Sequence, residues 1–372
     1  MLFLGQASNF RGFKTWKHFF AVGGKHNSDE LRAYIAAHYG TSTGRVALFH
    51  NGRSALTVAI RELLPEGGEV VITGLTCIAV VQAVRAAGCE PVYADIDVET
   101  LHYGKKELLE VLKNHPDVKA VVVQNNLGNP ADIENIEKIC KKHKLFLIED
   151  LAHCAGVRYA DGREAGTVGH AAAMSFGKGK SIDTISGGAV IFSERVDITV
   201  KQPEKRPKLG ECARDRWYPV FGHQIRVLYY LGLGKLFTAF LIKIGCIERS
   251  ADSRLSTETR LAHWQAKLAI EQIKNLPKKA PGRPPLRQHY FVLHRKELLR
   301  KLEKMGYIFT DTWYDVPVSP SRYYAMSNFD EEECPVTTAV AKHIINVPTN
   351  YPDSELTSAY KIIKEYQIDE ED

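Results

Sequence analysis

The feature that most constrains this chain lies between residues 46 and 192, where short apolar runs alternate with longer amphipathic stretches. The spacing predicts strands over 46–49, 69–73, 91–94, 118–123 and 145–148, continued at 171–176 and 188–192. Between them apolar residues recur at helical spacing, which predicts helices over 53–64, 78–87, 105–113 and 133–142; Leu108, Leu109 and Leu112 mark one such face. Strands that are apolar on both sides need cover on both sides, and long crossovers make neighbouring strands parallel. The first half therefore reads as α/β, a mostly parallel sheet flanked by helices.

The 372 residues, 44% hydrophobic and 25% charged, fit a soluble globular chain of two domains. The character changes after residue 193. Residues 201–208 are rich in proline and charge, and 278–285 form a linker with Pro281, Gly282, Pro284 and Pro285. We expect a large domain over 12–255 and a smaller C-terminal α+β domain over 256–372, with helices at 261–273, 290–305 and after Asp353. Asp369 to Asp372 read as a frayed acidic tail. The net charge of +5 is spread along the chain, which favours anionic small molecules over nucleic acid as partners. Seven cysteines without a C-x-x-C pair point to a reducing cytoplasm, and neither disulfide framework nor metal site is expected. No h-region or cleavage signature follows Met1.

One segment, 218–246, is unusually apolar but broken by Arg226, Lys235 and Lys243, so its apolar stretches are too short to span a bilayer. Leu236, Phe237, Phe240, Leu241 and Ile244 fall on one helical face. Two readings follow: a helix packed on the core or in a dimer interface, or a surface helix making peripheral contact with a membrane or a lipid-linked substrate.

Two runs carry chemistry. Leu147-Ile148-Glu149-Asp150 is an apolar run ending in an acid, with His153 three residues on. About thirty residues later comes Ser175-Phe176-Gly177-Lys178-Gly179-Lys180. An acid at the carboxyl end of a buried strand sits where open α/β sheets bind ligands. There it keeps a pyridine nitrogen protonated through a charge-assisted hydrogen bond. A lysine then supplies the amine for a Schiff base, so the pair suits pyridoxal phosphate. Lys178 and Lys180 share one glycine-containing loop, and composition does not separate them. His153 is a candidate to stack on, or hydrogen-bond to, the cofactor ring. Asn51-Gly52-Arg53-Ser54 falls between a strand and a helix, where free amides make an anion site, Gly52 allows close approach and the hydroxyls of Ser54 and Ser175 add contacts.

Together these pieces resemble the DegT/StrS group of sugar aminotransferases. The resemblance runs from about Asn51 to Glu194 and resumes weakly from Arg260. The family's phosphate turn resembles Gly52-Arg53-Ser54-Ala55-Leu56, and its cofactor-strand end resembles Thr76-Cys77. Gly128-Asn129-Pro130-Ala131-Asp132 and Glu149-Asp150-Leu151-Ala152-His153 match two further motifs. Ser175-Phe176 followed by Lys180 matches the family's lysine motif, which selects Lys180 over Lys178. Arg260 and Gln265-Ala266 match a later helix. Three positions depart: Cys77 stands for an aromatic ring, Arg53 for threonine, and Glu258 for an asparagine expected to reach a neighbour's cofactor phosphate.

The resemblance implies fold type I, with a sheet of the seven-stranded type, and a cytoplasmic homodimer. Lys180 and Asp150 would be catalytic; Gly52, Arg53, Ser54, Cys77, Asp150, His153, Ser175 and Lys180 would hold the cofactor. An amino-acid donor, glutamate by resemblance, would aminate a nucleotide- or lipid-linked keto-sugar for surface polysaccharide or secondary-metabolite sugars. The rival expectations are a non-transaminating sugar enzyme of the dehydratase type, against which Lys180 argues, and a non-catalytic binding or regulatory protein on the same fold.

Overall fold

Strand residues alternate between two fully buried faces, which is why the apolar runs are continuous. In a computed structural model describing residues 1–4, 27–277, 285–309 and 312–368, seven strands form one sheet. They are β1 (Val46–Phe49), β2 (Gly68–Thr73), β3 (Cys89–Ala94), β4 (Val118–Val123), β5 (Phe146–Asp150), β6 (Ala171–Ser175) and β7 (Gly188–Phe192). Their order is β1-β7-β6-β5-β4-β2-β3. Only β7 runs against its neighbours, β1 and β6; all other pairs are parallel. The tail at 369–372 and residues 278–284 of the linker lie outside the described residues.

Helices cover both faces of this sheet. Helices α1 (Asn27–Tyr39), α4 (Lys105–Asn114) and α5 (Ile133–His143) pack on one face, with Leu147 and Met174 among the strand residues they cover. Helices α2 (Gly52–Leu63) and α3 (Ile78–Ala86) cover the other, over Ile148 and Ala173. Helix α5 shows how the sequence enforces this. Asp132 caps its first turn, Lys141, Lys142 and His143 fill its last, and Ile133, Ile136, Ile139 and Cys140 are the buried stripe. The boundary expected at residue 256 does not coincide with a break in packing: Leu261 and Ala266, Ala269, Ile270 and Ile273 of helix α8 (His263–Lys274) belong to the first of these two cores.

Two further helices come immediately before α8 in the chain. Helix α6 (Leu209–Tyr230) and helix α7 (Gly234–Lys243) form a hairpin, and α8 spans His263–Lys274. The five residues expected on one hairpin face are divided. Leu241 is buried and Phe237 packs inward with Ile225 and Ile247, whereas Leu236, Phe240 and Ile244 are exposed.

The predicted helix over 290–305 is instead a strand followed by a helix. Strand β8 (Arg287–Phe291) pairs antiparallel with β9 (Ile344–Pro348), and His294, at φ 51°, separates it from α9 (Arg295–Lys304). Helices α10 (Pro335–His343) and α11 (Asp353–Glu365) complete this region, whose core joins Leu298, Leu302, Leu356 and Ile363 to Ile345 and Val347. It is fixed to the sheet by Asp95, at the end of β3. That carboxylate accepts the N–H groups of Val336 and Thr337 and the Thr337 hydroxyl, at 3.0, 2.7 and 2.7 Å, where the positive end of α10 attracts it.

Glu149 is the least exposed acid in the sheet, at 0%. It accepts from the Tyr159 hydroxyl at 2.8 Å and from the N–H groups of Gly166, Val168 and Gly169 at 2.7, 2.8 and 2.7 Å. Burial raises its carboxyl above the usual range, and these four donors oppose that rise. Glu149→Gln turns an amide NH2 toward N–H donors. It should lower unfolding free energy by about 2–4 kcal/mol in urea denaturation; a variant as stable as the wild type would contradict this account.

Candidate active site

The carboxyl ends of β5 and β6 meet the amino end of α2 at a point where only glycine fits. Ser175 and Phe49 both pair with Gly188 across β7. A Cβ on Gly52 would lie 2.5 Å from Ser175 Cβ, and one on Gly188 would lie 2.7 Å from Gly52 Cα. The helix amino terminus is thereby pressed against the strand ends, beside the Ser175 hydroxyl. The cavity formed there has a volume of about 150 Å³. Gly52, Arg53, Cys77, Asp150, His153, Ser175, Lys178 and Lys180 all line it.

Ser54 does not. Its N–H and hydroxyl both donate to Asn51 Oδ1 at 2.9 Å, and its hydroxyl accepts from the Ser256 N–H at 3.0 Å, so its polar capacity is spent within the turn. The Arg53 guanidinium is largely committed too. It donates to the carbonyls of Ser253 (2.7 Å), Ala251 (3.1 Å) and Ser250 (3.3 Å). Arg53 thus ties a strap over the start of α2, and its Nε keeps no partner among the described residues. Glu258 is exposed and pairs with Lys205.

Asp150 ends β5 on the face opposite Glu149. Among the described residues its carboxylate accepts one hydrogen bond, from the Ala152 N–H at 3.0 Å. Burial raises its carboxyl to about 6, with that bond and Lys180 acting in the opposite direction. The Lys180 amine is lowered, chiefly by burial. Its Nζ lies 2.8 Å from His153 Nε2. His153 Nδ1 accepts the Leu127 N–H at 3.3 Å, which assigns the remaining ring proton to Nε2. The imidazole is itself driven toward neutrality by burial and by the nearby Lys180 and Arg287. The Lys180 amine thus contacts a neutral imidazole, and burial shifts it in the direction of the uncharged state a nucleophilic lysine needs.

His153 has a ring partner that sequence patterns did not signal. Trp313 stacks on it at 4.7 Å and 11°, and the Lys180 Nζ lies 4.7 Å from the same indole centroid. Tyr314 follows at a left-handed φ of 65°, lines the cavity and donates its hydroxyl to Asn126 Oδ1 at 3.1 Å. Gln124 lines it as well and accepts from the Thr76 hydroxyl at 2.8 Å. Cys77, at the first residue before α3, adds no ring to this wall.

Lys178 faces a different wall. Its Nζ donates to the Glu248 carbonyl and lies 4.6 Å over the Tyr218 ring. Asp215 is anchored there by the Ser186 hydroxyl, which bonds Gln265 at 2.6 Å, and Arg214 pairs with Glu248 at 2.8 Å. The α6–α7 segment, poorly matched by the sequence resemblance, thus supplies one side of the cavity.

This set fits pyridoxal phosphate. An amino-terminal helix turn with a hydroxyl beside it suits a phosphate. A buried acid with unspent acceptor capacity suits a ring nitrogen, and a lysine amine whose basicity burial lowers suits the aldehyde. Two buried polar atoms of cavity-lining residues, His50 Nδ1 and Arg53 Nε, have no partner among the described residues, an unmet demand for a polar ligand.

Comparison with known proteins agrees. The chain is 26% identical over 331 residues to the pleiotropic regulatory protein of Geobacillus stearothermophilus, covering 86% of this chain and 82% of the relative. It is 28% identical over 339 residues to the dTDP-3-amino-3,4,6-trideoxy-alpha-D-glucose transaminase of Streptomyces venezuelae, covering 84% and 80%. In fold it is similar to a Streptococcus pneumoniae protein described as a sugar aminotransferase in its PLP form, at a TM-score of 0.68 and 15% identity over 97% of this chain and 98% of that one. Residues 17–366 match the sequence profile of the DegT/DnrJ/EryC1/StrS aminotransferase family, and the chain belongs to that family of pyridoxal phosphate-dependent aminotransferases.

Proposed function

We propose that this aminotransferase moves an amino group from an amino acid, glutamate by family resemblance, to a keto-sugar carried on a nucleotide or a lipid, working as a homodimer. The observation that carries the reading is Lys180, a buried amine aligned by His153 within a cavity that Asp150 also lines. A transaminase relative acting on a nucleotide-linked sugar supports the acceptor class.

When bound, the cofactor supplies a ring that takes up the electron pair left as a substrate Cα–H bond breaks. The chain's own residues do the rest. The turn at Gly52 and Arg53, with the Ser175 hydroxyl, is placed to bind the phosphate. The Asp150 carboxylate is placed to hold the ring nitrogen in its protonated state. Lys180 Nζ carries the proton: its lone pair accepts from carbon, and burial favours giving the proton back. The His153 ring, backed by Trp313, keeps that amine aimed. The relative named as a regulatory protein makes a binding role the competing reading. Purified protein should show the visible band of lysine-bound cofactor; glutamate should bleach it, and a keto-sugar acceptor should restore it. A band that glutamate leaves unchanged would overturn the proposal.

Lys180 should be the attachment point. After borohydride treatment, mass spectrometry should find covalent cofactor on the wild type and on Lys178→Ala, and none on Lys180→Ala. Cofactor mapped to Lys178 would reverse the assignment.

Asp150 yields a pH test. Its carboxyl titrates near 6 in the folded protein against an ordinary 3.8. The folded state binds this proton more tightly, so its favourable contribution is complete below the unfolded value and is lost as pH rises through about 6. Cofactor-free Asp150→Asn escapes that loss. It should be more stable than cofactor-free wild type above this window, by up to about 3 kcal/mol, and the gap should close as the solution is acidified toward the ordinary value. With cofactor, the variant should turn over roughly a hundredfold more slowly. Equal stability across the range, or near-normal turnover, would contradict the role.

A further inference from the structure

The α6–α7 hairpin carries an apolar ridge. Leu233, Leu236, Phe240 and Ile244 are 50, 72, 51 and 51% exposed, and recur every three or four residues along α7. Val227, Tyr230 and Leu231, at 47, 65 and 67%, extend the exposed apolar surface through the end of α6 and the turn. The same helices are anchored from beneath by Ile225, Leu241 and Ile247 against Phe3 and Ile308. The exposed side chains are therefore surplus to the hairpin's own packing, and an apolar surface of this kind marks a contact with something else.

Charge points to what that is. From Arg216 to Ile247 the chain has Arg216, Arg226, Lys235 and Lys243 and not one aspartate or glutamate. Lys235 is paired with Glu303 at 2.6 Å. Lys243 is exposed at the end of α7 and has no ion-pair partner among the described residues; Arg249 is exposed a few residues on. A second copy of this chain docking by the same ridge would present its own cations to these, since a two-fold interface sets one patch against itself. A surface of anionic headgroups over hydrocarbon matches both the apolar ridge and its cations. Among the described residues no helix is long and apolar enough to cross a membrane.

We propose that the α6–α7 hairpin docks this enzyme peripherally on anionic bilayers, with Leu236, Phe240 and Ile244 entering the acyl boundary and Lys243 at the headgroups. This stands apart from the identity of donor and acceptor. The hairpin also supplies cavity residues, with Arg214, Asp215 and Tyr218 on α6, so docking places one wall of the active site on the element that meets the lipid.

The test is co-sedimentation of cofactor-loaded protein with vesicles of phosphatidylcholine, with and without phosphatidylglycerol, beside a sizing measurement. Wild type should bind the anionic vesicles at low salt and lose about tenfold of that binding at high salt or on phosphatidylcholine alone. Phe240→Asp should abolish binding with oligomeric size and the cofactor absorption band unchanged. Lys243→Glu, a surface change that leaves the packing intact, should weaken binding about fivefold or more. Wild type that ignores anionic vesicles at low salt would overturn the proposal. So would a Lys243→Glu variant that binds as well as wild type, or a Phe240→Asp variant that dissociates to a smaller species, which would make the ridge a contact between copies. None of these readouts uses transamination, so failure here and failure of the aminotransferase reading are distinguishable.

Discussion

Two consecutive carboxylates on one buried strand organise this protein. A strand sends successive side chains to opposite faces, so Glu149 and Asp150 enter different environments from the same backbone. Glu149 receives four donors, three of them backbone N–H groups from residues 166–169. It fixes the loop that leads into β6, and β6 runs into the lysine-bearing turn. Among the described residues Asp150 receives one hydrogen bond, which leaves the rest of its acceptor capacity open. Burial penalises both charges. In Glu149 the donors answer that penalty within the chain; in Asp150 it is left largely unanswered, which is why the site calls for a protonated ring nitrogen.

The second constraint is steric. Gly52 and Gly188 let the start of α2 approach the ends of β6 and β7 more closely than any side chain permits. That approach aims a helix amino terminus at the same point as Asp150. The Arg53 strap over residues 250–253 then closes the turn from the outside. Arg53 stands where the family pattern has threonine, and its guanidinium donates to the carbonyls of this strap.

Much of this was legible in the sequence, and for a definite reason. A sheet buried on both faces writes itself as continuous apolar runs, so the seven strands and the helices α2 to α5 could be read directly, whereas Lys180 was told from Lys178 only by the family resemblance. Local signals also carried the α2 turn, because strand–glycine–helix is a short-range motif. The failures were long-range. Trp313 and Tyr314 reach the site from beyond the linker, and nothing near them in sequence says that they meet His153. Ser54 looked like a phosphate ligand because a hydroxyl at a helix start often is; its partners Asn51 and Ser256 are settled only by the folded turn. The helix expected over 290–305 took in Tyr290 and Phe291, the end of the strand Arg287–Phe291, because that strand's partner, Ile344–Pro348, lies more than fifty residues away. The face of α7 was likewise read as one stripe, since periodicity identifies an apolar side without saying which part of it the neighbouring helix covers.

The two lysines show how a single residue divides labour in such a site. Gly179, at φ 71°, reverses the chain between Lys178 and Lys180. Without that left-handed residue, alternate side chains would tend to share a direction. With it, Lys180 meets His153 on the sheet side, while Lys178 meets Tyr218 and the Glu248 carbonyl on the hairpin side. Burial lowers both amines, and nearby acids oppose that in each: Asp215 and Glu248 beside Lys178, Cys77 and Asp150 beside Lys180, which also contacts the His153 ring. Under the proposed function Lys180 is the amine that makes the bond to cofactor, while Lys178 ties this loop to the Tyr218 and Glu248 wall. Any movement of that wall is therefore felt in the loop that carries Lys180, through Lys178 and through the Asp215–Ser186–Gln265 chain. The segment least like the family pattern is thus joined to the lysine-bearing loop by polar contacts and by the packing of Tyr218 against Ile185, Trp264 and Leu268.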